Sequence, residues 1–153
     1  METLIQQLRL LQANVFVYYT KAHGYHWNTE GILFNQFHDF FSEIYNDAWN
    51  SIDGYAEWIR IFGQYADFDA AKAVMTSNVK YDLGNTNNPT DMLKSLVVSN
   101  ERIIEDLKAA FNMANIAGEQ GVANFFADRI AVHEKFRWKM VSSLKTIINN
   151  QGE

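Results

Sequence analysis

Apolar residues recur every three or four positions from the start of the chain: Leu4, Leu8, Leu11, Val15, Tyr18 and Ala22, with His26 in the next place. That period marks one face of an amphipathic helix, which therefore runs as far as His26. Asn28 to Gly31 is turn chemistry, and the chain is expected to reverse there. A second stripe follows at Phe34, Phe37, Phe41, Ile44, Ala48, Ile52, Tyr55, Ile59 and Phe62, closed by Gly63 in C-cap position. About thirty residues at 1.5 Å each make a rod of roughly 45 Å, a length that mainly bundles and coiled coils require.

Residues 64–88 lose the period and contain Gly84 with Asn78, Asn85, Asn87 and Asn88. They predict a long crossover, with a short helix near Phe68 to Met75. Asn88-Pro89-Thr90-Asp91 is a helix start, with an N-cap, proline at the first helical position and a carboxylate two residues on. The helix it opens carries Leu93, Leu96, Ile103, Leu107, Ala110 and Ala114 and stops near Gly118. The last one runs from about Glu119 through Phe126, Ile130, His133, Phe136, Met140, Leu144 and Ile147. Two hairpins of long helices joined by one long crossover predict an all-α, ferritin-like four-helix bundle, one domain over 1–153.

Composition narrows the function classes. The absence of Cys excludes disulfides and thiolate metal sites. A net charge of −5 weighs against generic nucleic-acid or anionic-membrane binding and suits a protein that handles cations. The opening METLIQQLRLLQ has no signal-peptide run and nothing approaches a membrane span, so a cytoplasmic location is expected.

The chemistry concentrates between His23 and Arg60. This stretch holds three of the four histidines and six carboxylates, Glu30, Asp39, Glu43, Asp47, Asp53 and Glu57, with no Lys or Arg between Lys21 and Arg60. Solvated helices normally interleave both signs. A cation held by nitrogen and oxygen ligands is the simplest species to supply the missing charge. Asp53 and Glu57, four apart, project from one helical face. His26 ends the first helix and His38 lies near the start of the second, so both imidazoles can face one point. Imidazole with carboxylate suits iron, zinc or manganese. Taken singly, a histidine on an apolar stripe is usually a satisfied core residue, and an exposed acidic pair usually faces water; their concentration in one basic-free segment favours ligands. His38 and Asp53 are separated by about 22 Å along one straight helix. If all four residues serve one metal site, that site lies between two antiparallel copies of the chain. Gly54, beside Asp53, is expected where another backbone approaches.

The run from His23 to Gly63 resembles Dps-type miniferritins. The signature couples a His-Trp pair, here His26-Trp27, a second histidine twelve residues on, His38, and an Asp-x-x-x-Glu, Asp53 with Glu57. The closing HEKFRWKM, residues 133–140, is also similar to that family's last helix. The resemblance implies a hollow homo-oligomer, a dodecamer, with inter-subunit ferroxidase centres. These oxidise Fe(II), preferably with hydrogen peroxide and otherwise with dioxygen, store ferric mineral and protect against oxidative stress. It implies iron as the metal, His26, His38, Asp53 and Glu57 as catalytic ligands, and Asp39 and Glu43 as cavity-facing carboxylates that receive mineral. Two positions depart from the common pattern: Ser42 stands where many relatives are acidic, and His23 where a lysine is common, which makes His23 an extra ligand or a surface residue. For the acidic pore near the start of the last helix, Glu119 and Asp128 are the candidates. Two alternatives stand beside this reading. One is a nucleoid-associated DNA-binding protein, disfavoured because Arg9 and Lys145 are the outermost basic residues and Arg129, Lys135, Arg137, Lys139 and Lys145 read as a solvated face. The other is an inactive structural cage. The aromatic crowd of Tyr25, Trp27, Tyr45, Trp49, Tyr55 and Trp58 reads as core or interface packing, and His133 as structural.

Overall fold

A computed structural model describes residues 1–84 and 86–150, the side chains of 146–150 excepted. Asn85 of the crossover and the side chain of Ile147 in the last stripe lie outside what is described. Five helices follow one another: α1 (Glu2–Asn28), α2 (Phe34–Ile61), α3 (Ala70–Thr76), α4 (Pro89–Ala117) and α5 (Gln120–Asn150). None of the described helices is long and apolar enough to cross a membrane.

The apolar stripes fold inward as their spacing predicts. Leu8, Leu11, Val15, Tyr18 and Ala22 of α1 meet Phe37, Phe41, Ile44, Tyr55 and Ile59 of α2, together with Leu93, Leu96, Ile103 and Leu107 of α4 and Val122, Phe126 and Met140 of α5. α1 packs along α2 and α4, and α4 along α5, so the two hairpins close on one core.

Each reversal has a local cause. α1 ends where Thr29 turns extended and Gly31 takes φ +124°. α2 ends one residue before Phe62, with Gly63 left-handed at φ +82°. At α4 the Asn88 side chain accepts from the Thr90 N–H at 2.8 Å, and Pro89 opens the helix. Gly118, at φ +74°, stops it.

The short crossover helix differs from its expected span. It begins at Ala70, because the Asp69 side chain caps it by accepting from the Lys72 N–H at 3.1 Å. Phe68 is left outside the helix and fully exposed. The crossover is tied to α1 by an Arg9–Asp67 ion pair of 3.0 Å and by Asn14, whose Oδ1 accepts from Ser77 Oγ and the Asn78 N–H. Its far end is pinned to the α1–α2 turn, where the Glu30 N–H donates to the Asn87 carbonyl at 3.0 Å.

Gly54 corrects another expectation. A Cβ built there would lie 2.6 Å from the ring of Phe125 in α5 of the same chain. Across the same crossing, Gly121 of α5 receives the Trp58 ring of α2, 2.8 Å from where its Cβ would be. The two glycines admit two aromatic rings where α2 crosses α5, and Gly54 is accounted for without a second chain.

Candidate metal centre

Ending α1 at Asn28 and starting α2 at Phe34 puts His26 on the last turn of one helix and His38 on the second turn of the next. Their rings stack, with centroids 3.7 Å apart and planes inclined by 17°. Nδ1 of His26 lies 2.6 Å from the carbonyl oxygen of His38, and Nδ1 of His38 lies 2.7 Å from the carbonyl oxygen of His26. A carbonyl oxygen only accepts, so both Nδ1 atoms carry the proton and donate it. With the proton on Nδ1, Nε2 is the atom of each ring that can offer a lone pair. That is the form in which imidazole ligates a metal, and a backbone carbonyl on the other nitrogen is a usual orienting partner. The Phe34 ring stacks 4.9 Å from His38, and Tyr45 meets His26 edge-on at 5.1 Å, so packing also holds the pair.

The carboxylates lie elsewhere. Asp53 and Glu57 are exposed, one turn apart on α2. That helix is unbroken from Phe34 to Ile61, so the fifteen residues from His38 to Asp53 still span about 22 Å. Among the described residues of one chain, no group of three or more His, Asp or Glu is gathered to hold a metal ion. The chain therefore joins His26 to His38 and leaves Asp53 and Glu57 apart. Asp53 instead lines a cavity of about 420 Å³ between α1, α2 and the crossover, with Phe16, Trp49 and Phe68 among its walls.

The acidic segment finds part of its counter-charge inside the chain, which corrects the expectation that a bound cation is the simplest species to supply it. Lys139 of α5 pairs with Glu43 at 3.0 Å, and Arg129 of α5 holds Asp47 through two hydrogen bonds of 3.0 and 2.6 Å. Arg129 is also the exception to the expected solvated basic face, being only 9% exposed, while Arg137 pairs with Glu101 at 3.1 Å. Asp39 and Glu43 stay exposed. Of the pore candidates, Glu119 is half-buried at the α4–α5 turn and Asp128 is exposed on α5.

Behind Arg129 runs a polar network that carried no sequence signal, because its members come from four helices. His133, fully buried, donates from Nδ1 to Asn100 Oδ1 at 2.7 Å. Its Nε2 accepts from the Arg129 guanidinium at 3.3 Å, and the Asn100 amide donates back to the His133 carbonyl. Tyr18 donates to Asn100 Oδ1 at 3.4 Å. Burial, with the adjacent guanidinium adding to it, pushes His133 down to about 3, so the ring is neutral and structural.

His23 is neither free surface nor grouped with other ligands. Its ring lies 4.0 Å from Tyr45 on one side and 4.0 Å from Trp27 on another, and its Nδ1 is 2.9 Å from the Tyr19 hydroxyl. Tyr25 and Tyr55 are buried, whereas Trp27 and Trp49 are exposed on the single chain.

The family model for the ferritin-like domain matches residues 5–148. General stress protein 20U of Bacillus subtilis is 30% identical over 94% of this chain and 98% of its own length. The DNA protection during starvation protein of Brevibacillus brevis is 29% identical over 95% of this chain and all of its own. Among solved structures, the Dps protein of Vibrio cholerae superposes with a TM-score of 0.90 at 26% identity, covering 94% of this chain and 89% of that one. Dps from Staphylococcus aureus gives 0.90 at 27% identity, over 94% and 96%. With its bundle, its single long crossover and its stacked histidine pair, the chain belongs to the ferritin-like family and is a Dps-type miniferritin.

Proposed function

We propose that this protein is a ferroxidase that oxidises Fe(II), preferably with hydrogen peroxide, and stores the ferric product inside a hollow homo-oligomer, a dodecamer. The observation that carries the reading is the reciprocal His26–His38 pair, with both Nδ1 atoms committed to backbone carbonyls, which leaves Nε2 of each ring as the atom to ligate a metal. Two imidazoles are half of a ligand set for iron. Asp53 and Glu57, at the other end of the same helix, complete it from a second copy running antiparallel. The exposed Trp49 and Phe68 beside Asp53, lining an open cavity, are the apolar surface that such a copy would cover.

Iron is the substrate. Carboxylates stabilise the more highly charged ferric product, and the fixed imidazoles bind without rearrangement. Two Fe(II) ions each give one electron. Hydrogen peroxide takes both, its O–O bond breaks, and two hydroxide equivalents leave. Consuming peroxide and Fe(II) together limits one-electron radical chemistry. Asp39 and Glu43 are proposed to receive mineral on the inner surface, with Glu43 already carrying Lys139 as a partner.

The test replaces Asp53 and Glu57 by Asn and Gln, which removes charge and keeps shape. Peroxide-driven Fe(II) oxidation, followed by absorbance after anaerobic loading, should fall sharply; an undiminished rate would defeat the assignment of Asp53 and Glu57, and a parent protein that oxidises no Fe(II) would leave the inactive cage as the better reading. DNA retention is not part of the proposal, since Arg129, Arg137 and Lys139 are engaged by Asp47, Glu101 and Glu43. A metal-free gel shift at moderate salt checks this.

A further inference from the structure

Between α1 and α2, beside the histidine pair, aromatic rings run without a break. Tyr45 lies 5.1 Å from His26 and stacks on His23 at 4.0 Å with planes 17° apart. Trp27 lies 4.0 Å from His23, and Tyr19, hydrogen-bonded to His23, lies 5.1 Å from Trp49. An electron crossing this cluster never meets a gap wider than ordinary ring contact.

One ring in the cluster is equipped to lose an electron cleanly. Oxidising a phenol makes its proton strongly acidic, so the step is easy only where a base already waits. Tyr19 has one, 2.9 Å away at His23 Nδ1. The phenol is far more acidic than a neutral imidazole N–H, so it donates and Nδ1 accepts. The Tyr45 hydroxyl makes no such bond among the described residues. The imidazolium that forms at His23 would lie between the rings of Tyr45 and Trp27, whose π faces favour a cation.

We infer that Tyr19 and His23 form a proton-coupled electron donor that supplies the second electron to hydrogen peroxide when only one Fe(II) occupies the centre. The inference rests on the ferroxidase reading above. Peroxide needs two electrons, and a single Fe(II) gives one. Tyr19 gives the other through Tyr45 and His26, and its hydroxyl proton moves to His23 Nδ1. Fe(II), the phenol, the neutral imidazole and H2O2 become Fe(III), a tyrosyl radical, imidazolium and two hydroxides. The charge is the same on both sides, and no hydroxyl radical is released. His23 thus acquires a role as proton acceptor that a lysine, protonated at neutral pH, could not fill.

Two arms of one experiment test this, read by electron paramagnetic resonance. In the first, the protein is loaded anaerobically with one Fe(II) per centre and mixed with hydrogen peroxide. In the second, iron-free protein is oxidised by photogenerated ruthenium(III) tris-bipyridine. A tyrosyl radical is expected in both. Tyr19→Phe, which keeps the ring and loses the hydroxyl, should lose that signal. His23→Phe, which keeps the stack and loses the base, should also lose it, although Tyr19 is still present. Wild-type oxidation at two Fe(II) per peroxide is followed alongside. Its absence overturns the ferroxidase reading and the electron supply with it. Iron oxidation without a tyrosyl radical in the first arm, or a radical as strong in either variant as in the wild type, overturns the Tyr19–His23 donor alone.

Discussion

His26 and His38 each donate from Nδ1 to the other's backbone carbonyl, so each ring is the orienting partner of the second as well as its stacking neighbour. Removing one imidazole removes a lone pair and also loosens the ring that remains. Replacing either by Ala should therefore weaken metal binding by more than the loss of one donor. Orienting groups alone are worth about 10–100-fold in affinity. Anaerobic Fe(II) titration by calorimetry should show at least that drop for His26→Ala and for His38→Ala. A variant that binds as tightly as the parent would mean the pair is structural.

The separation of His38 from Asp53 along α2 makes subunit exchange informative. If the centre is built from two chains, a mixed dimer of His38→Ala and Glu57→Ala has one site with both lesions and one with none. In an equal mixture about a quarter of all sites are then intact, and activity returns although each parent is impaired. A site contained in one chain would carry a lesion everywhere in the mixture. Stopped-flow oxidation on mixtures shown by mass spectrometry to contain mixed dimers separates the two cases.

The Asp47–Arg129 pair is two-pronged and mostly withdrawn from water. Asp47→Asn keeps the shape and leaves the guanidinium without its counter-charge. We expect a loss on the order of 2–3 kcal/mol, toward the low end for breaking a buried pair because Asp47 keeps some contact with solvent. Urea unfolding at fixed protein concentration measures it. Lys139→Ala, which breaks the more exposed partner pair with Glu43, should cost less than about 1 kcal/mol.

His133 predicts an acid limit to stability. Its ordinary value of 6.5 falls to about 3 in the fold, through burial and then Arg129. Between those values the unfolded chain binds a proton that the folded chain refuses, so stability rises with pH across the window. Its contribution is complete above about pH 6.5 and is lost as pH falls toward 3, at about 1.4 kcal/mol per pH unit. Denaturant midpoints between pH 4 and 7 should show that slope, reduced in His133→Gln. Equal slopes in the two proteins would place the acid sensitivity elsewhere.

The sequence by itself determined the bundle. The stripes from Leu4 to Ala22 and from Phe34 to Phe62, and the stop and start signals at Gly63, Asn88-Pro89 and Gly118, are local. Their periodicity and capping act within a few residues, so they are legible without tertiary information. The nearness of His26 to His38 was legible for the same reason, since only a short turn separates them.

What joins distant segments was decided by the tertiary structure. Arg129 lies 82 residues from Asp47, and nothing local distinguishes it from the exposed Lys135 or Arg137. Only the packing of α5 against α2 makes it a buried counter-charge instead of a solvated one. From sequence alone Gly54 reads as an opening for another chain, because spacing cannot show that Phe125 of the same chain fills it. The reciprocal Nδ1 bonds of the histidine pair belong here too: spacing brings two rings to one place, but the direction in which each nitrogen points is set by the crossing of α1 and α2. Long-range contacts depend on which helix faces meet, and that is fixed by the whole core at once.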